Sequence, residues 1–235
     1  MYIPKVFEET RTEVLTELIQ KHALGCLILH TDGELDANHL PFEYDEKSHS
    51  LYAHIAKENP LYTQLKQSQN VLVVFTIDHA YVSPNWYVGK FEHHKAVPTW
   101  NYVVIHAKGM AEIIEDEKVL RGILARLTRQ HESNQPKPWK MSDAPKDYIQ
   151  NELSKIAAIR IEISSLVGKF KLSQNRDVID QVNVAEAYKQ NNKNVNQLVH
   201  QRVLFQCCND TQTQANGNTD QGRVNIDQNR GGKMA

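Results

Sequence analysis

The chain has 235 residues, 40% of them hydrophobic and 23% charged, with 27 basic side chains against 28 acidic ones and a formal net charge of −1. These are the values of a globular protein with one domain plus additions, or of two small domains. They exclude a global basic field that would bind nucleic acid without specificity, and no apolar run (24–29 or 71–75, for example) is long enough to span a bilayer.

The N-terminal MYIPKVFEETR lacks the apolar stretch of a secretory signal. The three cysteines, Cys26 by itself and Cys207 beside Cys208, form neither a disulfide framework nor a metal motif. A cytoplasmic protein with reduced thiols and no membrane segment is the expectation. Thr10 followed by Glu13 reads as a capping box, and Val14, Leu15, Leu18 and Ile19 give the first helix one apolar stripe. Residues 24–31 read as a strand, Asp32-Gly33 as a hairpin turn, and 35–44 as the returning strand. A short strand over 50–55 leads to Asn59-Pro60, an N-cap followed by proline at the first helical position, which starts a short helix through Leu61 and Leu65. The β-branched run 71–77 predicts a strand buried on both faces.

Residues 81–102, YVSPNWYVGKFEHHKAVPTWNY, come next. Ordinary surface loops are rich in Gly, Ser, Asn and Asp, and core strands are aliphatic; this segment is neither. Planar rings on a proline-stiffened backbone, with Ser83, Asn85, Thr99 and Asn101 between them, suit a flat heteroaromatic ligand with polar edges. The same rings could equally plug one end of a barrel. Strand structure resumes over 101–114. Val119, Leu120, Ile123, Leu124 and Leu127 then mark an amphipathic helix ending near His131. A polar, proline-containing connection (132–145) crosses to a helix over 146–156. Residues 158–166 alternate as a strand with Ile159, Ile161 and Ile163 on one face, 169–176 follows it, and a last helix fits 178–188. This order predicts a mainly β fold with helical additions (α+β), an antiparallel meander closing into a barrel over residues 1–190. From 191 to 235 Asn and Gln crowd the chain, only 198–205 is apolar enough to pack, and a disordered or loosely attached polar tail is expected.

Several segments together resemble the PaiB-like family of FMN-binding negative transcriptional regulators. They are MYIP at residues 1–4, ANHLP at 37–41, YVSPNWY at 81–87, VPTWNY at 97–102 and KFKLSQNR at 169–176. Their order and spacing agree over roughly residues 1–188, and the polar tail is not covered. The resemblance implies a split β-barrel of the kind shared with pyridoxamine phosphate oxidases and flavin reductases, usually a homodimer with FMN in a groove at the subunit interface.

Under that resemblance FMN requires two environments. Its phosphate needs cations, hydroxyls or free backbone N–H groups, which Lys57 and Asn59 bring to a strand-to-helix junction. Its ring needs apolar faces and hydrogen bonds at one edge; Ser83, Trp86, Val97, Thr99, Trp100 and Asn101 are the candidates. Asn38 and His39 are adjacent on a strand, so only one side chain can face the flavin. Trp100 and Tyr102 share a face and Asn101 points the other way. Lys169, Ser173, Gln174 and Asn175 form a donor cluster fit for flavin polar groups or an anionic substrate, while Lys171 reads as part of a solvated basic turn. His93 and His94 diverge on an extended chain without a carboxylate or cysteine at ligand spacing, so no metal site is expected there, and the pair is placed at the flavin mouth instead. No helix-turn-helix, zinc finger or basic ribbon is present, and the arginines of RGILARLTR (121–129) lie on the solvated face of a packing helix. DNA or another regulatory partner would then be engaged indirectly or by a composite dimer surface. The alternative is an FMN-dependent oxidoreductase or flavin reductase acting on a small molecule.

Overall fold

The computed structural model describes residues 1–67 and 69–191, with Glu92, His93 and Asn191 described by backbone only. The tail read from 191 onward, including 198–205, otherwise lies outside the described residues. The chain divides into two compact units, Met1–Tyr81 with Trp100–Leu172, and Val82–Thr99 with the chain from Ser173 onward.

In the first unit a 3-10 turn leads into β1 (Glu8–Glu9) and α1 (Thr12–Lys21). The expected capping box is not formed: the position before α1 is Arg11, whose guanidinium pairs with Glu9 at 2.9 and 2.6 Å, and no side chain caps the helix. Leu15, Leu18 and Ile19 are buried as the stripe requires. Strand β2 (Leu24–Thr31) turns through Asp32 and Gly33, at φ 52° and 84°, into β3 (Glu34–Pro41). Two successive positive φ values are what a tight hairpin of this hand demands. After β3 the strand expected over 35–44 breaks at Phe42, whose N–H donates to Ala23 O at 2.8 Å, and resumes as β4 (Glu43–Asp45).

Strand β5 (Ser50–Ala56) is followed by α2 (Pro60–Gln64), capped as the sequence predicts: Asn59 Oδ1 accepts from Leu61 N–H at 2.9 Å. Strand β6 (Gln69–Val82) is not buried on both faces. Val71, Val73, Phe75 and Ile77 point inward, Leu72 and Val74 are half-buried and Thr76 is exposed. In the second unit lies α3 (Gly89–His93), after which β7 (Thr99–Ile114), α4 (Glu117–Glu132) and α5 (Lys146–Ser154) follow. Strand β8 (Ile156–Lys171) runs without a break through the region read as two segments.

Among the described residues the sheet has the order β3-β2-β6-β7-β8-β5-β4, with β1 beside β8. Strands β3 and β4 belong to one extended stretch that pairs with β2 at its start and β5 at its end, so the chain itself joins the two sheet edges. A sheet closed in this way curls into a barrel. Leu27, Leu51, Phe75, Ile105 and Ile159 are fully buried within it. Lys108 pairs with Ser165 but Gly109 with Ile163, so Ser164 is the extra residue of a bulge, its Oγ donating to Lys108 O at 3.2 Å. Past this bulge β8 changes partner: its first half pairs with β5 and its end with β1.

Helices α4 and α5 cover one part of the outer sheet surface, where Leu120, Ile123, Leu127 and Leu153 pack with Ala158. Each such buried aliphatic contributes roughly 1.5–3 kcal/mol. Another part carries Ile28, Leu72, Val74, Tyr102, Val104, His106 and Val167, all half-buried. The second unit is built around α6 (Val178–Asn191). There the Asp180 carboxylate accepts from Val88 N–H at 2.8 Å, and Trp86 meets Tyr188 edge-on at 5.5 Å.

Candidate functional site

The first group of expected site residues sits where β3 and β5 approach α2. Asn59 reaches back from its cap and donates from Nδ2 to Asn38 Oδ1 at 2.9 Å, while Asn38 Nδ2 donates to Asp36 Oδ2 at 3.0 Å. Residues far apart in the chain are thus joined into one polar chain. His39, on the opposite side of β3, is exposed. Lys57 is exposed in the turn after β5, its backbone N–H fixed on Lys155 O at 2.8 Å. Among the described residues its ammonium makes no ion pair at salt-bridge distance. Its charge is felt nearby: Glu115 is held below the ordinary carboxylate range first by the Tyr62 hydroxyl, and further by Lys66 and Lys57.

A second group lies at the start of β7. Trp100 is 51% exposed, and His79 and Tyr81 from β6 approach its ring with centroids at 6.1 and 5.9 Å. The expected alternation holds, with Asn101 buried and Tyr102 half-buried on the other face. Lys171, read from sequence as a solvated turn residue, is instead half-buried on β8 and donates to Trp100 O at 2.6 Å. The cause is register, since Lys171 pairs with Tyr102 and stands next to the start of β7. Lys169 donates to Tyr2 O at 3.1 Å, and its ammonium lies 5.8 and 5.4 Å from the Tyr2 and Tyr102 ring centroids.

The remaining candidates belong to the second unit. Ser83 Oγ accepts from Asn85 N–H at 3.2 Å, and Trp86 is half-buried against Tyr188. Val97 is exposed and Thr99 half-buried. Ser173 is buried at φ 68°, its carbonyl accepting from Arg176 N–H at 2.9 Å; Gln174 is half-buried and Asn175 exposed. His94 is also left-handed, at φ 58°. Among the described residues no group of three His, Cys, Asp or Glu side chains could hold a metal ion. Sequence reasoning did not single out His79 or the stack of Arg176 on Tyr87; each is an alternation or turn partner whose position depends on register.

FMN asks for a cation with free hydrogen-bond donors and for an accessible ring face. The residues present fit it. Lys57 and the Asn38–Asn59 pair offer the former, and Trp100 with Tyr81 and His79 the latter. His54 Nδ1 on β5 and Gln64 Oε1 on α2, which precede and follow Lys57 in the chain, are buried without a hydrogen-bond partner, as expected where another polar group completes a site.

Comparison with known proteins agrees. The family described as "Putative FMN-binding domain" matches residues 1–165. The "Protease synthase and sporulation protein PAI 2" of Bacillus subtilis is 31% identical over 198 residues, 83% of this chain and 92% of that protein. An uncharacterized protein of Saccharomyces cerevisiae is 35% identical over 158 residues, 58% of this chain and 93% of its own. The FAD and heme binding protein from Mycobacterium smegmatis superposes with a TM-score of 0.55 at 19% identity, covering 70% of this chain and 73% of that one. For the flavocytochrome Anf3 from Azotobacter vinelandii the TM-score is 0.53 at 14% identity, with 72% of each chain covered. At these identities the two structures speak for the fold, a mainly β split barrel with helical additions. With the family matched over most of the barrel and a relative aligned over nearly its whole length, the chain belongs to this FMN-binding domain family, and FMN is its cofactor.

Proposed function

We propose that the chain is an FMN-dependent negative transcriptional regulator that works in the cytoplasm as a homodimer. The observation that carries the regulatory part is its likeness to the Bacillus subtilis protein over 92% of that protein's length, since the relative's name ties it to protease synthesis and sporulation. In this reading Lys57 and Asn59, steadied by Asn38, hold the flavin phosphate. Trp100 gives the ring a face, with Asn101 beside it on β7 and Lys169 on the adjoining β8. His39 contributes by its backbone. A second copy covers the half-buried sheet surface around Val74, Val104 and Val167 and shields the exposed Trp100 and Tyr81. DNA or a protein partner is engaged by the flavin-loaded dimer through a composite surface. Among the described residues no helix is long and apolar enough to cross a membrane.

A second reading is an FMN-dependent oxidoreductase acting on a small molecule, favoured by the openness of the aromatic group: Trp100 is 51% and Tyr81 44% exposed. When bound, the flavin supplies the electron chemistry, and this chain supplies position and polarity. Transcript profiling after deletion separates the two. The regulator reading expects target transcripts to rise and to fall again on complementation with the wild type but not with Trp100→Ala. Unchanged transcripts, together with NADPH oxidation by the purified holoprotein, would overturn it in favour of the enzyme.

A further inference from the structure

The second unit contains a cavity of about 330 Å3 walled by Tyr87, Lys90, Lys95, Arg176, Asp177 and Asp180, a size that suits a small ligand. Arg176 is half-buried, with its guanidinium carbon 4.5 Å from the ring centroid of Tyr87, which is itself only 2% exposed. Its backbone is pinned from both sides, the N–H donating to Ser173 O at 2.9 Å and the carbonyl accepting from Gln181 Nε2 at 2.8 Å. A planar cation is therefore held in one orientation, and among the described residues it makes no ion pair.

A guanidinium removed from much of its water and kept only for structure is normally matched by a carboxylate. The two acidic side chains in the wall do not serve in this way. Asp180 is spent on Val88 N–H, and Asp177 stands at the amino end of α6, whose positive pole it complements. Lys90 also lines the cavity, its ammonium donating to Asn85 Oδ1. The planar fork presents two parallel N–H donors, which match the two coplanar oxygens of a carboxylate.

We infer that this cavity binds a small monocarboxylate, held bidentate by Arg176 with Lys90 at its rim, in addition to the flavin and not as part of the flavin's own site. The test uses the full chain saturated with FMN and titrated at constant ionic strength with butyrate, inorganic phosphate or chloride. Binding is followed on the Arg176 Nε–Hε NMR resonance, assigned by its loss in Arg176→Lys. Butyrate should give a saturable shift that chloride does not, with phosphate weaker. Calorimetry should show butyrate affinity lowered about tenfold or more in Arg176→Gln and several-fold in Lys90→Ala. Both variants should keep the wild-type flavin spectrum; if Arg176→Gln does not fold, Lys90→Ala and the wild-type resonance decide. A butyrate shift no larger than chloride's, or unchanged affinity in the folded variants, overturns the proposal. So does butyrate binding that occurs only in flavin-free protein, because the cavity would then belong to the flavin.

Discussion

Gly109 stands at the bulge where β7 passes close to β8. A Cβ there would lie 2.1 Å from the carbonyl oxygen of Glu162, a backbone atom that cannot swing aside. Gly109→Ala should therefore cost about 1–3 kcal/mol or more, read as a lowered urea midpoint; an unchanged midpoint would mean that the bulge at Ser164 relaxes freely. His54 is a different kind of constraint. Burial pushes its imidazole below the ordinary value of 6.5. The folded chain thus takes up a proton less readily than the unfolded one, so this contribution to stability is complete above pH 6.5. It is lost as pH falls from there towards the depressed native value. His54→Gln should flatten the acid limb of the stability profile below pH 6.5, whereas an identical slope would show that His54 carries none of it.

Among elements, α2 shows how much one cap carries. Asn59 both accepts from Leu61 N–H and donates to Asn38, so Asn59→Ala should lower stability by about 1 kcal/mol from the cap, with a further loss from the stranded Asn38 amide. Equilibrium unfolding checks this, and a change within about 0.3 kcal/mol would show that the cap is dispensable. The α2 cap was legible because Asn-Pro has a local cause, as was the hairpin at Asp32-Gly33. The helix over α4 was legible because its stripe has the period of one buried face. Where an outcome depended on a distant partner, local signals failed. Thr10 lost its capping role because the chain enters α1 through the Arg11–Glu9 pair. The β-branched run of β6 could not show that its outer face is only half covered. Nor could 35–44 show that Phe42 leaves the ladder to meet Ala23.

At the scale of the whole molecule, candidate site residues could be read from the sequence singly and not as groups. The aromatic composition of 81–102 pointed to a planar ligand, yet the structure puts Trp100 with His79 and Tyr81 and assigns Trp86 to α6. Such grouping follows from strand register and chain reversal, which no spacing encodes. The half-buried surface around His106 bears on the proposed dimer. His106 is held below its ordinary value of 6.5 by burial, then by the positive N-terminus and Lys108. A covering second copy would deepen that burial and lower the value further than in the monomer, so the proposed dimer binds a proton less readily and should dissociate increasingly as pH falls below the monomer's own depressed value. Sedimentation at pH 8 and pH 5.5 checks this; a dimer equally tight at both would place the contact elsewhere. The proposed placement of the flavin on Lys57 and Trp100 is tested most directly by titrating the wild type, Lys57→Ala and Trp100→Ala with FMN and with riboflavin, which lacks the phosphate. Lys57→Ala should weaken FMN about tenfold or more while leaving riboflavin nearly unchanged, and Trp100→Ala should weaken both. Wild-type FMN affinity in both variants would contradict it.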